Sequence, residues 1–157
     1  MRRTLTSRGL LLAVLLPAVA AAAAGGVRWR GLEGGHAEAR KTGKPVLYFF
    51  TADWCAPCHV LEERVFSDAE AARKVEKLYV PIILEDRRRE EGANPAGMEA
   101  LARAFGVQGF PTLVVTRPGD KGGLRLSGWA GRERTLDFIG AAAGRLSELE
   151  KEGAAKR

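Results

Sequence analysis

The sequence predicts an α/β fold, a central mixed β-sheet flanked by helices, on three observations. Val46-Leu47-Tyr48-Phe49-Phe50 is an unbroken run of β-branched, aliphatic and aromatic residues between turn signals, the mark of a strand buried on both faces. Further short β-rich runs follow at 79–84, 113–116 and 124–128. Between and after them lie segments whose apolar residues recur at helical spacing. The chain has 157 residues, enough for one such core and too few for two ordinary catalytic domains. With 46% hydrophobic and 28% charged residues, 19 Gly and 7 Pro, it is neither disordered nor collagen-like.

The N-terminus reads separately from the fold. Arg2, Arg3 and Arg8 precede the apolar run Leu10 to Ala24, which is interrupted only by Pro17 and ends in alanines before Gly25-Gly26. This is the layout of a signal peptide. Counting Gly9 and Gly25 to Val27 brings the run to the roughly 20 apolar residues of a spanning helix, so an uncleaved anchor is the alternative. Arg2-Arg3 also invites a twin-arginine reading, which Thr4-Leu5-Thr6 matches only loosely. Removing this segment takes three arginines from the net charge of +6 and leaves +3. That charge is too mild for a polyanion partner, and no basic stripe interleaved with aromatics accompanies it, so nucleic acid is not an expected partner.

Along the rest of the chain, Ala37 to Lys41 forms a short helix after a glycine-rich joint, and Thr42-Gly43-Lys44-Pro45 stops it before the first strand. Helical spacing returns at Leu61, Val65 and Phe66, which places Cys55 and Cys58 where strand turns into helix. Ser67-Asp68-Ala69-Glu70 spells a capping box, with Ser67 as cap of a helix running to Leu78. Tyr79 to Leu84 is the next strand, and Pro81 within it implies a bulge or weak pairing. Glu85 to Glu91 is a run of seven charged residues, expected as a solvated loop, with partner docking as the alternative. Asn94 as cap and Pro95 as first residue predict a helix to Phe105, with Gly106 as its stop. Leu113 to Thr116 and Leu124 to Gly128, joined through Arg117-Pro118-Gly119-Asp120, form an antiparallel hairpin. Thr135 to Glu150 closes the chain as an amphipathic helix carrying Leu136, Ile139, Ala143, Leu146 and Leu149.

The chemistry sits at the two cysteines. A pair separated by two residues closes too small a loop to staple an exported domain, so a reactive pair explains it better than a structural disulfide. At the first turn of a helix, Cys55 faces unpaired backbone N–H groups and the positive end of the helix dipole, which favour a thiolate and make it the nucleophile. Cys58, one turn further in, is placed to resolve the mixed disulfide that Cys55 forms.

Ala52-Asp53-Trp54-Cys55-Ala56-Pro57-Cys58 after a buried strand, with Gly109-Phe110-Pro111-Thr112 downstream, resembles the thioredoxin superfamily over roughly residues 35 to 150. The order of strands and helices matches that core as well. Together with Val65-Phe66-Ser67-Asp68, the motif is most similar to the C-terminal thioredoxin-like domain of membrane electron-transfer reductases that serve the periplasm. The resemblance implies a thioredoxin fold, placed at 45–150, which divides the chain into the signal peptide or anchor at 1–24, a lead segment at 25–44, this domain and a polar tail at 151–157. It implies a cis peptide at Phe110-Pro111, with Trp54, Pro57, Phe110 and Pro111 facing the substrate. A redox-active Cys55–Cys58 disulfide would act with no cofactor or metal. One departure matters: many thioredoxins carry a buried Asp six residues before the first cysteine, and here that position is Phe49. Glu62, four residues after Cys58 and on the same helical face, is then the candidate base, with a plain solvated helix carboxylate as the alternative. Trp54 either shields the sulfurs or packs in the core.

Rival readings stay open. Cys55-Ala56-Pro57-Cys58-His59 also spells the pattern of covalent c-type haem attachment, with His59 and Met98 or His36 as axial ligands. The strand–helix plan argues against that haem fold, and no further ligand cluster supports zinc or copper on these residues. A non-catalytic binding module would not need both cysteines. Ala56-Pro57 places no His or Lys between the cysteines, which favours a disulfide reductase over an oxidase or isomerase. The expected partners are exported proteins with disulfides and a membrane electron donor that recharges the pair. The expected location is the periplasm or another extracytoplasmic space, reached by export and with the membrane contacted only if the anchor remains.

Overall fold

A computed structural model of the chain describes residues 25–155. The expected leader or anchor at 1–24 lies outside the described residues. The elements in order are α1 (Leu32–Thr42), β1 (Val46–Ala52), α2 (Ala56–Leu61), a π-helical turn (Glu62–Phe66), α3 (Ala69–Leu78), β2 (Val80–Asp86), α4 (Arg88–Glu91), α5 (Met98–Ala104), β3 (Thr112–Thr116), β4 (Leu124–Ser127) and α6 (Arg132–Ala155). The sheet order is β2-β1-β3-β4, with β1 and β2 parallel and both remaining pairs antiparallel. This is a mixed thioredoxin-type sheet with helices on both faces.

β1 is buried along its whole length because alternate side chains feed two different cores. Leu47 and Phe49 point into the core that holds Cys55, Cys58, Leu61, Val65 and Ile139. Val46, Tyr48 and Phe50 point into a second core with Ala39, Ile82, Met98 and Phe105. β2 is an edge strand, and that resolves the place of Pro81. Its register with β1 runs without a bulge from Val80 to Asp86. The Pro81 carbonyl accepts the Arg30 N–H on the far side from β1, at 3.0 Å, so the missing proline N–H would also point away from the ladder.

Several boundaries moved for identifiable reasons. Helix α1 begins at Leu32, earlier than the spacing suggested, and includes Gly34 and Gly35. Glycine is tolerated there because a Cβ on Gly35 would lie 2.4 Å from Ile82 Cγ1, so close packing of α1 on β2 requires it. Residues 25–44 are accordingly folded onto the sheet through α1 and through an Arg30–Ile82 bridge. The cap of α3 is Asp68 instead of Ser67, its carboxylate accepting the Ala71 N–H at 2.8 Å. Helix α5 starts at Met98 after Gly97, not at Pro95, because the Asn94 side chain is spent elsewhere, accepting the Arg87 N–H at 2.9 Å. Glu85 to Glu91 is not a loop. Glu85 and Asp86 finish β2, Asp86 is only 4% exposed, and Arg88 to Glu91 form α4. Asp86 tolerates burial because it accepts the Arg88 N–H at 3.0 Å and the Arg88 Nη2 at 3.1 Å. The guanidinium of Arg88 holds its carboxyl below the usual range.

Helix α6 runs from Arg132 through Ala155, past the expected end, and buries Thr135, Ile139, Ala142 and Leu146 while leaving Leu149 exposed. Among the described residues, no helix is long and apolar enough to cross a membrane.

Candidate active site

β1 delivers the chain to the site. After Ala52 the backbone turns, the Cys55 N–H donates to the Ala52 carbonyl at 3.0 Å, and α2 starts at Ala56 with Pro57 in its first turn. Proline fits there because the first N–H groups of a helix have no internal partner. Cys55 is the N-cap residue in an extended conformation (φ −92°, ψ 91°), and its carbonyl accepts the Cys58 N–H at 2.9 Å. The two sulfurs are joined as a disulfide, with Cα atoms 5.3 Å apart. Cys58 is fully buried and Cys55 is 3% exposed. An incoming group therefore reaches the outer sulfur first.

Trp54 stands beside this disulfide with 44% of its surface exposed, so it is a rim residue and not part of the core. Its ring meets Phe110 edge-on at 5.8 Å. The Phe110–Pro111 peptide bond is cis. Pro111 is buried, and its carbonyl accepts the Gly128 N–H at 2.8 Å, so that oxygen is turned into the fold and not toward a ligand. Thr112 donates its hydroxyl to the Gly109 carbonyl at 2.7 Å and fixes the approach to β3. Pro57 is exposed in the first turn of α2, between the two cysteines in the chain.

Behind the disulfide the surroundings are apolar. Phe49 is fully buried, with Trp29 at 5.4 Å and Phe66 at 5.2 Å between ring centroids, and no carboxylate lies on that part of β1. Glu62 follows α2, where its N–H bonds to the Cys58 and His59 carbonyls. It is half-buried at the start of the π-helical turn. Burial pushes its carboxyl pKa up, against a pull from His59 and with a smaller push from Asp53. The π turn shifts the helix by one residue, as the Ser67 N–H reaching the Glu62 carbonyl at 2.8 Å records. His59 is exposed and turns back, its Nε2 donating to the Asp53 carbonyl at 2.7 Å.

A group of charged residues beside Trp54 escaped the sequence reading. Arg87 Nη1 contacts Asp53 Oδ2 at 2.8 Å and Glu85 Oε1 at 3.1 Å, while its Nε contacts Glu91 at 3.0 Å. Asp53 is held below the usual carboxylate range, first by its hydrogen bond with Glu85 and then by Arg87, and Glu85 is correspondingly raised. Arg87 thus ties the turn before the cysteines to the segment after β2. From that segment Arg89 lies over the Trp54 ring, 3.9 Å from its centroid. The only sequence signal for this group was the charge run itself. Its pairing depends on strand ends meeting in space.

Trp54 and Phe110 also line one wall of a cleft of about 390 Å³, whose other lining includes Arg88, Met98, Glu99 and Gln108. Among the described residues no group of three His, Cys, Asp or Glu side chains is placed to hold a metal ion.

A cis-proline loop beside a Cys-x-x-Cys disulfide at a strand–helix junction, on this mixed sheet, defines a thiol:disulfide oxidoreductase of thioredoxin type. The chain belongs to the thioredoxin-like domain family, whose pattern matches residues 33–143. Among curated relatives, it is 29% identical over 107 residues to thiol:disulfide interchange protein DsbD of Ralstonia nicotianae, covering 68% of this chain and 17% of that protein. DsbD 1 of Pseudomonas aeruginosa is 34% identical over 88 residues, 56% of this chain and 14% of that protein. The chain therefore spans only a small part of the relatives it matches. Among solved structures, a thioredoxin from Thermus thermophilus superposes with TM-score 0.59 at 26% identity, over 76% of this chain and 93% of that one. The DsbD C-terminal domain of Neisseria meningitidis shares the fold, with TM-score 0.53 at 20% identity over 70% and 90% of the two chains.

Proposed function

We propose that the chain is an extracytoplasmic disulfide reductase that acts on exported proteins and is recharged by a dithiol donor at the membrane. The observation that carries this reading is the Cys55–Cys58 pair itself, an N-cap cysteine and a buried partner one turn in, with only Ala56 and Pro57 between them. The likeness to DsbD proteins supports it, as does the leader-like sequence at 1–24.

In the reduced state the Cys55 thiolate attacks one sulfur of a substrate disulfide. A Cys55–substrate disulfide forms, and the other substrate sulfur leaves as a thiolate that takes up a proton from water. Cys58 then gives its proton to Glu62, and its thiolate attacks the Cys55 sulfur. The second substrate sulfur departs as a thiolate and takes up the proton held by Glu62, leaving the Cys55–Cys58 disulfide seen in the structure. Two electrons and two protons have passed to the substrate, and a dithiol donor restores both. Trp54, Pro57, Phe110 and Pro111 frame the outer sulfur and receive the substrate segment. Glu62 suits its part because burial raises its affinity for a proton.

Titration of the pair against glutathione or dithiothreitol, read by alkylation and intact mass, tests the direction. A potential near about −270 mV is the expected result, and one near about −120 mV would make the protein an oxidase.

A further inference from the structure

We infer that Arg89 selects substrates carrying a carboxylate next to the disulfide that Cys55 attacks, so that the preferred partner is a polypeptide with Asp or Glu flanking its cysteine. The inference rests on the oxidoreductase reading above and names the substrate class of the same site.

The guanidinium of Arg89 lies 3.9 Å from the ring centroid of Trp54, the exposed residue that immediately precedes Cys55. The other arginines of this rim are committed to carboxylates. Arg87 holds Asp53, Glu85 and Glu91, and Arg88 holds Asp86 at 3.1 Å. No ion pair or hydrogen bond from the Arg89 side chain occurs among the described residues, and its residue is exposed. A guanidinium held over an indole by its charge still has N–H donors to offer a planar acceptor, which a carboxylate matches with two parallel bonds. The stack also fixes a side chain that would otherwise lose rotamer freedom on binding. Trp54 is tied in turn to Phe110 at 5.8 Å, so Arg89 rests on a ring that immediately precedes Cys55 in the chain and lines the adjoining cleft.

The surrounding carboxylates sharpen the prediction. Asp53, Glu85 and Glu91 are already paired with Arg87, and Asp86 with Arg88, so of the arginines at 87–89 it is Arg89 that is left to meet a substrate carboxylate. The selectivity is therefore positional, and it does not amount to a general attraction to acidic proteins.

The test uses residues 25–157, which contain the whole described fold, and pairs of disulfide peptides that differ only by Glu, Gln or Lys at the residue next to the cysteine. The expected wild-type kcat/KM ratio for Glu over Gln peptides is about three- to tenfold at low salt, shrinking toward one near 1 M salt. Arg89→Gln brings the ratio to about one, Arg89→Lys keeps part of it, and Arg89→Glu shifts the preference to the Lys peptide. A wild-type ratio of one, or a ratio unchanged in Arg89→Gln, overturns the inference. Turnover of the Gln peptide by the wild type in that event would leave the oxidoreductase reading standing, and no turnover of any peptide would overturn both.

Discussion

Tyr79 offers the sharpest test of how the core behind the cysteines is held. Its side chain is 1% exposed, and its hydroxyl donates to the Ile139 carbonyl at 2.6 Å while accepting the Ala143 N–H at 3.1 Å. Those two backbone groups are four residues apart in α6, where they would ordinarily bond to each other. The hydroxyl thus bonds to both groups of one ladder pair and pins α6 to the end of α3. Burial raises the Tyr79 pKa, with the Ala143 N–H opposing, so the neutral hydroxyl is the form that serves both bonds across the ordinary pH range. Tyr79→Phe removes two hydrogen bonds worth about 1 kcal/mol each net. It leaves the ring in place, so no large cavity term is added. Direct pairing of Ile139 with Ala143 offsets about one of the two bonds, giving an expected loss of about 1 kcal/mol. With a urea m value of about 1.5 kcal/mol/M, the midpoint falls by about 0.7 M while m stays constant. Urea unfolding followed by circular dichroism, with Tyr79→Leu as a companion that adds a packing defect, measures it. A loss below about 0.3 kcal/mol would show that α6 closes on itself without cost and that the inserted hydroxyl holds nothing.

Two further predictions concern ionisable groups. Glu62→Gln slows release of substrate from the Cys55 mixed disulfide by roughly tenfold or more, read by quenching and mass analysis, while the first attack is little changed. Because burial raises the Glu62 pKa, the ionised form costs stability above that pKa; the Gln variant gains relative to wild type as pH rises through it, and the two converge in acid. A variant whose release rate matches wild type at every pH would remove Glu62 from the mechanism. Asp68→Ala lowers the urea midpoint at pH 7 by removing the cap of α3. The Asp68 carboxyl is depressed, first by the Ala71 N–H bond, so its contribution is present above the unfolded carboxyl pKa and is lost as pH falls through the depressed folded value. An undiminished difference at pH 2 would refute a charge-assisted cap.

Much of the fold was written locally. The run Val46 to Phe50 has apolar side chains at every position, which only a strand between two cores can bury, and it proved to be β1. The Cys-x-x-Cys spacing after it, and Phe110-Pro111-Thr112 before β3, placed the chemistry on the correct ends of the correct elements. Caps were less legible, because Ser67, Asp68, Asn94 and Gly97 all suit such positions. The choice among them fell to competing partners, Asn94 being drawn to the Arg87 N–H.

The sequence by itself determined the alternation of strands and helices, the reactive pair and the absence of a carboxylate at Phe49, since each depends on residues adjacent in the chain or one helical turn apart. Tertiary structure alone decided the rest. It turned a charged run into a strand end, a helical turn and the pairing of Arg87 with Asp53, and it set Arg89 over Trp54. Those contacts join residues about thirty-five positions apart, and their energies exist only once the parallel ladder of β1 and β2 has brought the two strand ends side by side. No local periodicity encodes such a pairing, because the same charges would be equally well solvated in an open loop.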